Sequence, residues 1–185
     1  MLEIEVKLRI RKTADIESRL RALGAYLETA STLEDDALYD FPDRRLTDAG
    51  RLLRLRRRTD GAVLTFKDTA EPDRRAKVRR EVETRVVDGA ALVGIFQALG
   101  LESIWRYQKR RTTYRLGRLH ALVDELPIGN FLELEGAQVD IDRWAGALGF
   151  TRADYLVDTY RDLYEQWLAE SGLPEGDMVF PEEER

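Results

Sequence analysis

The chain has no cysteine, one histidine and two methionines among its 185 residues. Without cysteine there is no disulfide, no thiolate nucleophile and no Cys-ligated zinc. A single histidine, His120, excludes His-rich metal centres and leaves little room for a Ser-His-Asp triad. No apolar run approaches the length of a membrane span, and the N-terminus enters a strand-like segment without the apolar core of a signal peptide. Basic excess is lacking too. With 30 Lys+Arg against 35 Asp+Glu, the net charge of −5 argues against a generic binder of nucleic-acid polymers. These absences lead us to expect a soluble cytoplasmic protein. What the chain has in quantity is charge, at 35% of residues, beside 43% hydrophobic residues. The length suits one domain with a real core.

The charge is ordered from the first residues. In Glu3-Ile4-Glu5-Val6-Lys7-Leu8-Arg9-Ile10, the apolar residues take one face of a strand and Glu3, Glu5, Lys7 and Arg9 take the other. Taken alone, this is an ordinary half-exposed strand with a solvated polar face.

Seven further strand-like segments follow, near 33–41, 50–58, 62–69, 76–87, 103–116, 118–126 and 130–136. Thr59-Asp60-Gly61-Ala62 reads as a hairpin turn. Helices are expected over Thr13–Leu23, over Asp88–Leu99 with Asp88 as cap, from an Asp140 cap to Gly149, and from Asp154 to a break at Gly172-Leu173-Pro174. Residues 1–170 form the expected domain and 171–185 a tail, with Pro181–Arg185 solvated and acidic. The class is α+β and mostly antiparallel.

Strand parity then repeats the opening pattern. Arg54 and Arg56 alternate with leucines, Thr65 and Lys67 oppose Leu64 and Phe66, and Arg79, Glu81 and Glu83 share a face. Lys109 and Arg111 share another; Glu133 and Glu135 oppose Leu132 and Leu134, and Asp124 ends the strand before them. A sheet showing these charges to water would explain the parity equally well. Their segregation favours closure, since cations gather on the middle strands and carboxylates on the first and last. Exposed pairs contribute only about 0–1 kcal/mol, so an open face has little use for such an arrangement. A wet lumen that binds a polyanion and its metal does, and the expected fold is a closed eight-stranded barrel with a charged interior and flanking helices. Arg57 and Arg110, of opposite parity, should face outward.

Together these motifs resemble the CYTH, or triphosphate tunnel metalloenzyme, superfamily over residues 1 to about 165. The carriers are Glu3-x-Glu5-x-Lys7, the stretch Leu38 to Leu46, Leu53-Arg54-Leu55-Arg56, Leu64-Thr65-Phe66-Lys67 and Arg79-x-Glu81-x-Glu83. Lys109-x-Arg111-x-x-Tyr114, Val123-Asp124 and Phe131-Leu132-Glu133-Leu134-Glu135 complete the set. The superfamily includes class IV adenylyl cyclases, thiamine triphosphatases and inorganic triphosphatases.

The resemblance implies that Arg54, Arg56, Lys67, Arg79, Lys109 and Arg111 bind the phosphates, with Lys7, Arg56, Lys67 and Lys109 in catalytic roles. An all-oxygen set of Glu3, Glu5, Asp124, Glu133 and Glu135 suits Mg²⁺ or Mn²⁺ rather than zinc. Glu5 and Glu135 are the favoured direct ligands, and Glu81 and Glu83 are further lumen carboxylates. Lys7 would polarise a phosphate oxygen or help deprotonate the nucleophile. The implied activity is adenylyl cyclase, with inorganic or organic triphosphatase as the alternative and a non-catalytic polyphosphate- or nucleotide-binding module behind both. A homodimer is compatible with the aromatic-rich C-terminal helix. His120 and the three tryptophans read as structural and Asp40 and Asp43 as local loop caps, while Tyr39, Tyr107 and Tyr114 read as packing residues, with the tunnel mouth or contact with a base as the alternative.

Overall fold

The computed structural model describes residues 2–58, 61–70 and 76–181, with side chains from Ile4 onward. Eight strands close a barrel: β1 (Leu2–Ile10), β2 (Tyr26–Asp40), β3 (Leu52–Arg58), β4 (Gly61–Lys67), β5 (Lys77–Val86), β6 (Glu102–Leu116), β7 (Leu119–Leu126) and β8 (Gly129–Glu135). Their order around the wall is β1-β5-β4-β3-β2-β6-β7-β8, and every neighbouring pair is antiparallel. The first strand meets the last, with Glu5 opposite Glu135 and Lys7 opposite Glu133. Arg58 pairs with Gly61, which has a positive φ of 127°; Thr59 and Asp60, between them, lie outside the described residues.

The alternation sends apolar side chains outward, under helices. Val6, Leu8, Tyr114, Leu116, Leu119, Ala121, Val123, Leu132 and Leu134 are covered by α1 (Thr13–Ala22) and α4 (Gln138–Ala147), through Ile16, Leu20, Ile141 and Ala145. On the opposite side α3 (Gly89–Ala98) lays Phe96, Leu92 and Val93 over Ala37, Tyr39, Leu55 and Ala62. Burying a side chain of this kind is worth about 1.5–3 kcal/mol, so these two layers hold the wall in one curvature. No helix among the described residues is long and apolar enough to cross a membrane.

A third cluster lies inside the barrel at one end. Trp105 and Tyr107 share the inward face with Lys109, and Phe131 shares it with Glu133. Against them α5 (Tyr160–Ser171) packs Tyr160, Leu163, Tyr164 and Leu168. The helix thus stoppers that end with aromatic contacts, Trp105 stacking with Tyr107 at 4.8 Å and with Tyr164 at 5.7 Å.

Several boundaries differ from the sequence expectation. β2 begins seven residues before 33, at Tyr26, because it pairs with the far half of β6 through two register shifts. Residues 26–33 are exposed on both faces, so no alternation marks them. The last helix starts at Tyr160 rather than Asp154. A Thr159–Asp162 capping box fixes that start, and Asp154 closes a separate box with Thr151 on a short 3₁₀ turn (Arg152–Asp154). Asp140 lies in the first turn of α4 and does not cap it; Ala137 takes that position. Asp88 caps α3 as expected, accepting from Ala91 N.

The short α2 (Arg45–Asp48) has no apolar period to announce it. Asp40 holds it by accepting from the backbone N–H of Phe41, Leu46 and Thr47 and from the Thr47 hydroxyl, and Asp43 accepts from Arg45 N.

The segment after α5 docks on the wall. Met178 is 1% exposed and pairs with the free edge of β6, accepting from Gln108 N and donating to Arg106 O. Trp105 Nε1 donates to Gly176 O, and Asp177 accepts from Arg106 N. Of the expected acidic end, Pro181 is exposed and residues 182–185 lie outside the described residues.

Candidate active site in the barrel lumen

The inward faces enclose a lumen of about 220 Å³. It is lined by Lys7 and Glu5 from β1, Arg54 and Arg56 from β3, Lys67 from β4, and Arg79, Glu81 and Glu83 from β5. Lys109 and Arg111 from β6 and Glu133 and Glu135 from β8 also line it. Asp124, on β7, is fully buried behind it. The Glu3 side chain lies outside the described residues. Arg57 and Arg110 face outward, as their parity requires. His120 sits at the surface beside Arg115 and Glu28, away from the lumen.

Three carboxylates converge. Glu5, Glu133 and Glu135 each offer an oxygen within 4.8 Å of the others. The geometry follows from the strand seam, where Glu5 faces Glu135 and Glu133 is two residues along the same face. Lys7 Nζ lies 3.2 Å from both Glu5 Oε1 and Glu133 Oε1. Burial, the largest single influence, pushes the Glu5 carboxyl up, but Lys7, Lys67 and Arg79 together hold it at about 2. Glu133 is held well below its ordinary value despite burial, by Lys7 and Arg111. Burial alone would lower Lys7, and the two carboxylates raise it above its ordinary value instead. The all-oxygen trio fits a hard divalent cation.

Asp124 stands outside this trio. Its oxygens accept from Arg111 Nε at 2.6 Å and Nη2 at 2.5 Å, from Lys109 Nζ at 3.3 Å and from the Tyr160 hydroxyl at 2.7 Å. Arg111 Nη2 also donates to Glu133. Arg56 reaches the lumen with three nitrogens committed, Nε and Nη2 to Asp36 and Nη1 to Glu34. Buried Arg54 Nε, by contrast, has no hydrogen-bond partner among the described residues, a donor suited to an anion in the lumen.

Several residues escaped the sequence reading, Arg161 of α5 among them. Lys77 lines the lumen two positions before Arg79, so parity already pointed to it. Burial, together with Lys7 and Arg79, pulls its ammonium down to about 8. Glu34 and Asp36 share one face of β2, but Leu38 on the same face masks their pattern. Asp36 is fully buried and held below its ordinary value, Arg54 and Arg56 outweighing desolvation. Tyr160 arrives from α5, which strand parity cannot reach. Its ring has Lys7 Nζ at 5.1 Å and Lys109 Nζ at 5.3 Å. Tyr107 also lines the lumen, while Tyr39 and Tyr114 pack in the outer clusters.

A family model described as the CYTH domain matches residues 1–152. A putative adenylate cyclase of Methanocaldococcus jannaschii is 27% identical over 143 residues, covering 77% of this chain and 81% of its own length. The adenylate cyclase CyaB of Aeromonas hydrophila is 27% identical over 178 residues, covering 90% of each. Among solved structures, a putative adenylate cyclase from Vibrio parahaemolyticus superposes with a TM-score of 0.78 at 21% identity, over 89% of this chain and 98% of that one.

Proposed function

The chain belongs to the CYTH, or triphosphate tunnel metalloenzyme, superfamily, and from that premise we propose that its lumen is an adenylyl cyclase site acting on ATP with Mg²⁺ or Mn²⁺. The observation that carries this is the pairing of a many-sided cation wall with the Glu5–Glu133–Glu135 trio in one small space. The names of the two 27%-identical relatives support the cyclase chemistry.

Arg54, Lys67, Arg79, Lys109 and Arg111 would grip the phosphate chain from four strands. Fixed guanidinium and ammonium groups neutralise the charge that builds on a phosphoryl centre and its leaving oxygens. In the reaction the ribose 3′-oxygen bonds to the α-phosphorus, the bond to the β-phosphate oxygen breaks, pyrophosphate leaves, and the hydroxyl proton passes to solvent. Glu5, Glu133 and Glu135 would hold the metal ion, which supplies Lewis-acid charge at the phosphates when bound. Lys7, clamped protonated between Glu5 and Glu133, acts as a fixed cation and not as a base. Arg56, already engaged by Asp36 and Glu34, would contribute field and orientation.

The test is product identification with ATP and Mg²⁺ or Mn²⁺. Cyclic AMP and pyrophosphate are expected, falling by about 10²–10³ in rate in Lys67→Ala. Orthophosphate alone would replace the cyclase with a triphosphatase on the same lumen. Tight binding with no turnover of ATP or tripolyphosphate would leave a binding module.

A further inference from the structure

Where the wall leaves a strand edge open, other parts of the chain tend to cover it. Leu156 bridges to Lys7 on the free edge of β1, and Met178 bridges to Tyr107 on that of β6. Two stretches have neither strand nor bridge on one edge among the described residues. They are 26–33 of β2, beyond the ladder with β3 that stops at Asp35, and 81–86 of β5, beyond the ladder with β1 that stops at Arg80. β5 guards its edge with charge, placing Glu81, Glu83 and Arg85 at every second position. β2 has no such guard. Leu27–Leu33 contains no Lys, Arg, Pro or Gly and one charge, Glu28, in a chain of which 35% is charged. Its two leucines are 49% and 51% exposed. An open edge of this composition is a template for another strand.

The stretch Leu27-Glu28-Thr29-Ala30-Ser31-Thr32-Leu33 also reads nearly alike in both directions. Antiparallel pairing with a second copy about a two-fold axis at Ala30 sets Leu27 opposite Leu33 twice, Thr29 opposite Ser31 and Glu28 opposite Thr32. Residues opposite each other in such a pair share a face. Leu27 lies across from Tyr114 and Leu33 from Arg110, both outward positions of β6, so the leucine pairs would meet on one surface. No like charges are opposed. The two Glu28 residues would stand four positions apart, about 13 Å, which exceeds a Debye length in physiological salt. An axis at Ser31 would instead set Glu28 against Glu34, and one at Thr29 would set Leu33 against Ala25. The register shifts between Leu27 and Thr32 bend this edge away from the line of a regular strand. A second copy brings the same bend.

We infer that Leu27–Leu33 is the self-pairing edge of a homodimer, which joins two barrels through one continuous sheet. The inference stands apart from what the lumen binds. It also moves the dimer contact away from α5, whose Tyr160, Leu163, Tyr164 and Leu168 are buried against the end of their own barrel.

Sedimentation equilibrium of the whole chain tests this. From micromolar to millimolar concentration the mass should rise from one chain to two, since so short an edge makes a small interface. Leu27→Lys combined with Leu33→Lys sets ammonium against ammonium in both leucine pairs, and Leu27→Glu combined with Leu33→Glu does the same with carboxylates. Each double variant should dimerise at least about tenfold more weakly. An equimolar mixture of the two should pair again, because every ammonium then meets a carboxylate. Both leucines are half exposed, so the single chain keeps its fold. Ala30→Lys, which brings two ammoniums together at the axis, repeats the test at another exposed residue. A single-chain mass at millimolar concentration, or dimers that survive all three changes, would overturn the inference. So would a mixture no more associated than either double variant alone.

Discussion

Replacing Asp124 with asparagine separates two roles for a fully buried carboxylate of the site. Asp124 is fully buried and receives four donated hydrogen bonds from Arg111, Lys109 and Tyr160. Asparagine keeps the volume but removes the charge and turns an amide N–H₂ toward groups that are themselves donors. Breaking a buried ion pair from one side costs about 3–5 kcal/mol. The lower end applies here, because Lys109 keeps Glu34 at 3.4 Å and Arg111 keeps Glu133.

In a chain of 185 residues, about 1 kcal/mol shifts Tm by ~2–4 °C, so a fall of roughly 6–12 °C is expected in EDTA. Saturating tripolyphosphate should raise Tm more in the variant than in the parent, because it brings negative charge back to Arg111 and Lys109. Thermal unfolding followed by circular dichroism reads both effects. A loss below about 1 kcal/mol in EDTA, paired with altered magnesium dependence, would refute the counter-ion role and move Asp124 among the metal ligands.

Acid should weaken the fold in a defined interval. Glu5 titrates at about 2 when folded against an ordinary 4.5, so the unfolded chain binds the proton first and stability drains as pH falls between those values. Urea midpoints unchanged across that interval would contradict the burial and pairing of Glu5. Lys77, lowered to about 8, should be pushed back up by a polyanion in the lumen, so tripolyphosphate binding at pH 8 takes up protons. Calorimetry in buffers of different ionisation enthalpy measures this, and identical heats would rule it out. Met178→Ala should cost about 2–4 kcal/mol by emptying the space beside β6; a urea midpoint within error of the parent would show that the docked segment adds nothing to stability.

The legible part of this protein was whatever two-residue alternation could carry. Arg54, Lys67, Lys109 and Glu133 turn inward as their strand parity requires, and Leu55, Leu64 and Leu134 turn out toward the helices. Alternation fails where both faces of a strand have the same surroundings, which is why residues 26–33 were invisible. It fails again for Asp36, whose neighbour Leu38 belongs to the plugged end of the same inward face. Contacts made across long sequence gaps by short motifs left no trace. Tyr160 on Asp124 and Met178 on β6 are single residues whose partners only the closed wall creates.

The join between β1 and β8 governs when the site comes into being. The ammonium of Lys7 and the carboxylate of Glu5 come from the first strand, and Glu133 and Glu135 from the last. Long-range pairings of this kind are the slow part of folding, because the loop between them must close first. A growing chain therefore displays most of its cations while the corner of Glu5, Glu133 and Glu135 does not yet exist. The three carboxylates meet only when the first strand pairs with the last, and protection of the Val6 and Leu134 amides from hydrogen exchange would time the moment that corner forms.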